Sequence, residues 1–99
     1  MTLRFEFLTL FRQKIGRESL CVQLADRPGR GPTVLEALEA LQSAVEDKGV
    51  RLLAGERIAA GLLIFRRNAG GALERIPHPE DQSVGPGQRL VLSVAMEGG

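Results

Sequence analysis

The chain has 99 residues, a formal net charge of +1, 43% hydrophobic and 25% charged residues. This is the composition of an ordinary globular protein that can bury a core without metal or disulfide staples. So small a net charge gives no general electrostatic reason to expect nucleic-acid binding, although Arg66-Arg67 is a small basic spot, and no stretch approaches the roughly 18 apolar residues of a membrane span. The single cysteine, Cys21, excludes an internal disulfide, a four-thiolate iron–sulfur cluster and a zinc ribbon.

From Met1 to Phe7 charge alternates with apolarity, unlike the basic and then apolar zones of a signal peptide, so a cytoplasmic location is the expectation. Residues 3–8 carry Leu3, Phe5 and Phe7 on one side and Arg4 and Glu6 on the other, the period of a half-buried strand. Residues 18–24 repeat the pattern with Leu20, Val22 and Leu24. Cys21 and Gln23 then point the other way, and Cys21 reads as a small, semi-buried hydrophobe. The polar segment 12–17, with Gly16 suited to a turn, predicts that the two strands form an antiparallel hairpin.

Residues 26–32 are dense in proline and glycine and read as a loop. No Gly-Lys-Ser/Thr follows, so these glycines do not form a phosphate-binding P-loop. Thr33-Val34-Leu35-Glu36 is a capping box, with Thr33 as N-cap and Glu36 reaching back to the backbone. It opens a helix on which Val34, Leu38, Leu41 and Val45, supported by Leu35 and Ala44, form the buried stripe, while Glu36, Glu39, Ser43 and Glu46 face solvent. Gly49 ends it. The acidic residues read as a solvated helix face and receive no chemistry.

An irregular stretch, 50–60, precedes Leu62-Leu63-Ile64-Phe65, a run apolar at every position whose two faces both need cover, as in a central strand. A turn at 68–71 and a short edge strand at 72–76 follow. Residues 77–88 read as loop. His78 lies there between two prolines, and nothing supplies the third group that a Cys21–His78 nucleophilic pair would require. The final strand, 89–96, presents Leu90, Leu92, Val94 and Met96 to the core and Val91, Ser93 and Ala95 to the other side.

If the helix covers one face of the sheet, the first and last strands can lie side by side in parallel at its centre, with the helix inside their crossover. The expected architecture is α+β: a β-grasp with a mixed sheet of four to five strands on one main helix, forming one domain over residues 1–99. Residues 97–99 are expected to form a flexible tail. Without Cβ atoms, Gly98-Gly99 can enter a channel too narrow for other dipeptides. The reacting group of such a tail is the Gly99 carboxylate, which needs activation, biologically by adenylation, before a nucleophile can displace one of its oxygens.

This pattern resembles the ubiquitin-like sulfur-carrier family, of the MoaD, ThiS and ubiquitin-related modifier type. The resemblance rests on the first hairpin with Phe11-Arg12 and Gly16, the capped helix from Thr33, the strand Leu62–Phe65, and the last strand leading into Gly98-Gly99. It implies a substrate protein and not an enzyme. An E1-like partner of the MoeB/ThiF type, with its own ATP site, would transfer AMP to the Gly99 carboxylate, and Glu97 and Gly98 would thread the tail into its active site. A sulfurtransferase or other sulfur donor would convert the adenylate to a thiocarboxylate, which a sulfur-accepting enzyme consumes in cofactor or tRNA thiolation. The alternative destiny is conjugation of Gly99 to amines on target proteins. A third reading is a non-catalytic β-grasp interaction subunit whose diglycine is incidental. No cofactor, metal, nucleic acid or membrane is expected on the chain itself. The expected partner-docking face comprises Leu62 or Ile64, Arg66, Arg67, Val91, Ser93 and Ala95, an apolar centre with a charged rim.

Overall fold

The computed structural model describes residues 1–25, 31–85 and 87–94. The expected tail, together with Met96 and Ala95, lies outside them, as does most of the proline- and glycine-rich loop at 26–30.

The alternating residues at the N-terminus form β1 (Thr2–Phe7) and pair antiparallel with β2 (Ser19–Gln23), Phe5 standing opposite Leu20. Their connection differs from the expected turn. Residues Thr9–Ile15 form a helix, α1, closed by Gly16 in the left-handed region (φ 78°), with its amide donating to the Arg12 carbonyl at 2.9 Å. Phe11 and Ile15, four residues apart, share one side of α1 and are both buried, so the apolar pair holds helical a segment that its polar residues mark as a turn.

The capping box initiates α2 (Val34–Val45): the Thr33 hydroxyl accepts from the Glu36 amide at 3.2 Å. Val34, Ala37, Leu38, Leu41 and Val45 are buried. Ala44, expected to support this stripe, is exposed, and Ala37 takes its place because it lies three residues after Val34 and four before Leu41. A single 3-10 turn, Glu46–Lys48, carries the chain to Gly49, the expected stop.

The stretch expected to be irregular contains a small hairpin, β3 (Leu53–Ala54) with β4 (Arg57–Ile58). Gln42 of α2 fixes its approach: the side-chain amide donates to the Val50 carbonyl at 2.8 Å and its oxygen accepts from the Leu52 amide at 2.6 Å. Leu52 is fully buried. β5 (Leu62–Arg67) and the edge strand β6 (Leu73–Arg75) follow, joined by a turn in which Asn68 Oδ1 accepts from the Gly70 and Ala72 amides. The loop after β6 holds a 3-10 turn at Pro79–Asp81, and it docks on the start of α2 by a bridge between Thr33 and Ser83.

β7 (Arg89–Val94) completes a five-stranded sheet of order β2-β1-β7-β5-β6, in which β1 and β7 run parallel and the other pairs antiparallel. The inward residues of β1 (Leu3, Phe5, Phe7), of β7 (Leu90, Leu92) and Ile64 of β5 form one core with α2. Cys21, expected to be semi-buried, is exposed, because no layer among the described residues covers the side of β2 that carries it.

Phe5 is fully buried at the centre of this core. Phe5→Ala is expected to destabilise the chain by about 3–5 kcal/mol in urea unfolding. Gln42→Ala leaves the buried Leu52 amide without its acceptor, and the expected loss is about 1–3 kcal/mol in the same measurement.

Candidate functional site

Face assignment on the sheet follows from the strand register. Leu92 belongs to the core and stands opposite Ile64, so Ile64 and, two residues either way, Leu62 and Arg66 lie on the helix side. Leu63, Phe65 and Arg67 of β5 therefore lie on the outer side, with Val91 and Ser93 of β7 and Arg4 and Glu6 of β1. The expected docking residues do not form one surface. Ile64 is 2% exposed within the core and Leu62 packs against it. Val91, Ser93 and Arg67 share the outer face, and Ala95 lies outside the described residues. Two members of that face, Leu63 and Phe65, escaped the sequence reading because their strand is apolar at every position and carries no period to mark its sides. The missing signal is the alternation of β7, which fixes β5 only once the two are paired.

At the centre of the outer face Val91 is fully buried although it is not part of the helix-side core. Its cross-strand neighbours are Glu6 of β1 and Phe65 of β5. Because β7 lies between those strands, the ion pair of Glu6 with Arg67 passes over it. Arg67 Nε donates to Glu6 Oε2 at 3.0 Å, Nη2 to Oε1 at 3.3 Å, and Nη1 to the Gly71 carbonyl at 2.7 Å. The two-pronged contact holds the arginine flat across the strand. The result is a half-buried apolar strip, Leu63 and Phe65, packed beside the fully buried Val91, with Ser93 at one end and an ordered arginine at the other.

A second concavity lies where β7 ends. Leu10 and Phe11 of α1, Val50, Leu62 and Val94 line a groove of about 290 Å³, and Lys14 and Arg51 stand on its wall. Leu10 is 43% exposed there, one of two large apolar side chains so exposed among the described residues. Val94 is the last described residue, so the groove adjoins the point from which the chain continues toward Glu97, Gly98 and Gly99. Those three lie outside the described residues. Among the described residues no group of three or more His, Cys, Asp or Glu side chains is arranged to hold a metal ion, and no helix is long and apolar enough to cross a membrane.

No protein-family model and no curated protein matches the chain. Solved structures do. SAMP1 from Haloferax volcanii superposes with a TM-score of 0.76 at 17% identity, over 100% of both chains. The Haloferax volcanii HVO 2177 protein gives 0.74 at 19% identity, covering 100% of this chain and 87% of its own. A chain of the BexX/CysO complex of Amycolatopsis orientalis gives 0.67 at 20% identity, covering 98% of this chain and 99% of its own. With a mixed five-stranded sheet on one main helix and a parallel pair at its centre, the chain has the β-grasp fold of ubiquitin-like proteins.

Proposed function

We propose that the chain is a ubiquitin-like sulfur carrier, a substrate for other enzymes and not a catalyst itself. In this reading the Gly99 carboxylate attacks the α-phosphate of ATP in the site of an E1-like partner of the MoeB/ThiF type, releasing pyrophosphate. A sulfur nucleophile delivered by a sulfurtransferase then displaces AMP, and the thiocarboxylate passes its sulfur to an accepting enzyme. The observation that carries the reading is the union of a β-grasp fold with a diglycine that follows its central strand in sequence: Val94 ends the described part of β7, and Gly98-Gly99 stand four and five residues after it.

Each part of the chain has a role in this scheme. β7 is flanked on both sides by hydrogen-bonded strands, so it anchors the root of the tail. The outer strip of Leu63 and Phe65, floored by the buried Val91 and edged by Ser93 and the braced Arg67, supplies the docking patch, in place of a patch that includes Leu62 and Ile64. A half-buried apolar centre beside a polar rim is the anatomy of a surface that another protein covers. Glu97 and Gly98 carry the carboxylate from that docked body into the partner's nucleotide site.

A second reading, conjugation of Gly99 to amines of target proteins, has one observation in its favour: a small archaeal modifier protein of Haloferax volcanii superposes on the chain with a TM-score of 0.68. The two readings share the adenylation step and differ in the nucleophile that follows. Intact-mass analysis of the protein isolated from its native cells without reductant separates them. The carrier reading expects a gain of about 16 Da at the carboxyl end, the replacement of one oxygen by sulfur. A diglycine remnant on lysines of other proteins, without that gain, favours the modifier. Full biological function after deletion of Gly99 contradicts both.

A further inference from the structure

The end of the sheet opposite the tail gathers positive charge. Arg4 of β1 and Arg89 of β7 are paired in register, and continuing the β5–β7 register by one residue sets Arg67 on the far side of Arg89. Three neighbouring strands thus place three arginines in one row of the outer face, an arrangement of like charges that costs stability unless something offsets it. Glu6 meets the charge of Arg67, and Arg4 donates to the Ser19 hydroxyl at 3.2 Å. The Arg89 side chain has neither an ion-pair nor a hydrogen-bond partner among the described residues.

A cavity of about 550 Å³ opens beside this row, and Arg66, Arg67, Gln88 and Arg89 line it. Arg66 lines it and also a neighbouring concavity that it shares with Glu74 and Gln82; its Nε is buried with no hydrogen-bond partner among the described residues. Glu74 stands opposite Arg66 on β6, and its Oε1 accepts from Asn68 Nδ2 at 2.9 Å. Gln88 uses Oε1 to accept from the Gly85 amide at 2.8 Å, which leaves its NH₂ group free to donate. No carboxylate lines the cavity.

We infer that this cavity binds a phosphate group, with Arg89 and the Gln88 side-chain amide as donors and Arg66 and Arg67 as neighbouring charges. A guanidinium fork matches the oxygens of a tetrahedral oxyanion, and with a neutral amide beside it and two further positive charges nearby it satisfies several of its lone pairs at once. The site is separate from the tail chemistry: the five residue steps from Arg89 to Val94 span about 17 Å along β7. It depends neither on the diglycine nor on an activating partner.

The test is a titration of the full chain with inorganic phosphate at constant ionic strength, followed by NMR of the backbone amides, the Arg Nε–H groups and the Gln88 NH₂. Saturable shifts at Arg66, Arg89 and Gln88 are expected. Arg89→Gln, a change at an exposed position, is expected to weaken binding about tenfold or more, while Arg12→Gln, far from the cavity, leaves it unchanged. A parallel titration with AMP distinguishes the sources: affinity equal to that of inorganic phosphate assigns the site to free phosphate, and tighter binding assigns it to the phosphate of a nucleotide. Shifts that fail to saturate, that chloride reproduces, or that survive Arg89→Gln overturn the assignment. So does saturation of the same signals by an acidic peptide when phosphate has no effect.

Discussion

The parallel pairing of β1 with β7 is the constraint on which the rest of the structure depends. Two parallel neighbours cannot be joined by a tight turn, so the intervening residues must travel over the sheet, and α2 lies within that crossover. The pairing brings Phe5 beside Leu90 and Phe7 beside Leu92, the aromatic centre on which α2 packs. It also puts the last strand in the middle of the sheet, with β1 on one side and β5 on the other. A tail that grows from such a strand starts from a fixed root. For a carrier this matters because a partner that docks on the folded body then knows where the carboxylate begins.

Enclosure of β7 has a second consequence on the outer face. Val91 is shielded by its flanking neighbours and by an ion pair that crosses above it, so the centre of that face is ordered without a second layer of helices. The two ends of the same strand differ in chemistry. Near Val94 the surroundings are an apolar groove with Lys14 and Arg51 on its wall, suited to contact with another protein. Near Arg89 they are arginines and amides with few acceptors, suited to an anion. One strand thus connects two regions of different chemistry, and its length keeps their electrostatic coupling weak at physiological salt.

How far the sequence disclosed this depends on whether each element carries a period. β1, β2 and β7 alternate cleanly, and the Thr33 cap with its apolar stripe marks α2, so the sheet centre, the helix and the topology are legible. β5 is not, because Leu62 to Phe65 are apolar on both faces and only pairing with β7 separates Ile64 from Phe65. The docking patch was therefore divided between two sides of the sheet. α1 and the β3–β4 hairpin escaped for another reason. Both are short segments held by tertiary contacts, Phe11 and Ile15 in one case and the Gln42 fork in the other, and neither contact has a local signature. The arginine cavity could not be read either, since it draws Arg66, Arg67 and Arg89 from two strands that only the fold brings together.

The central claim, that this body presents its carboxyl end to an adenylating enzyme through the outer strip, is tested most directly by ATP–pyrophosphate exchange with the cognate E1-like enzyme. The account predicts exchange that requires the intact chain. It also predicts that Phe65→Asp, verified as folded by NMR, raises the carrier concentration needed for half-maximal exchange by about tenfold or more, since burying an unpaired carboxylate in the interface is costly. Absence of exchange with every such enzyme of the native cells, or exchange that Phe65→Asp leaves unchanged, would contradict it.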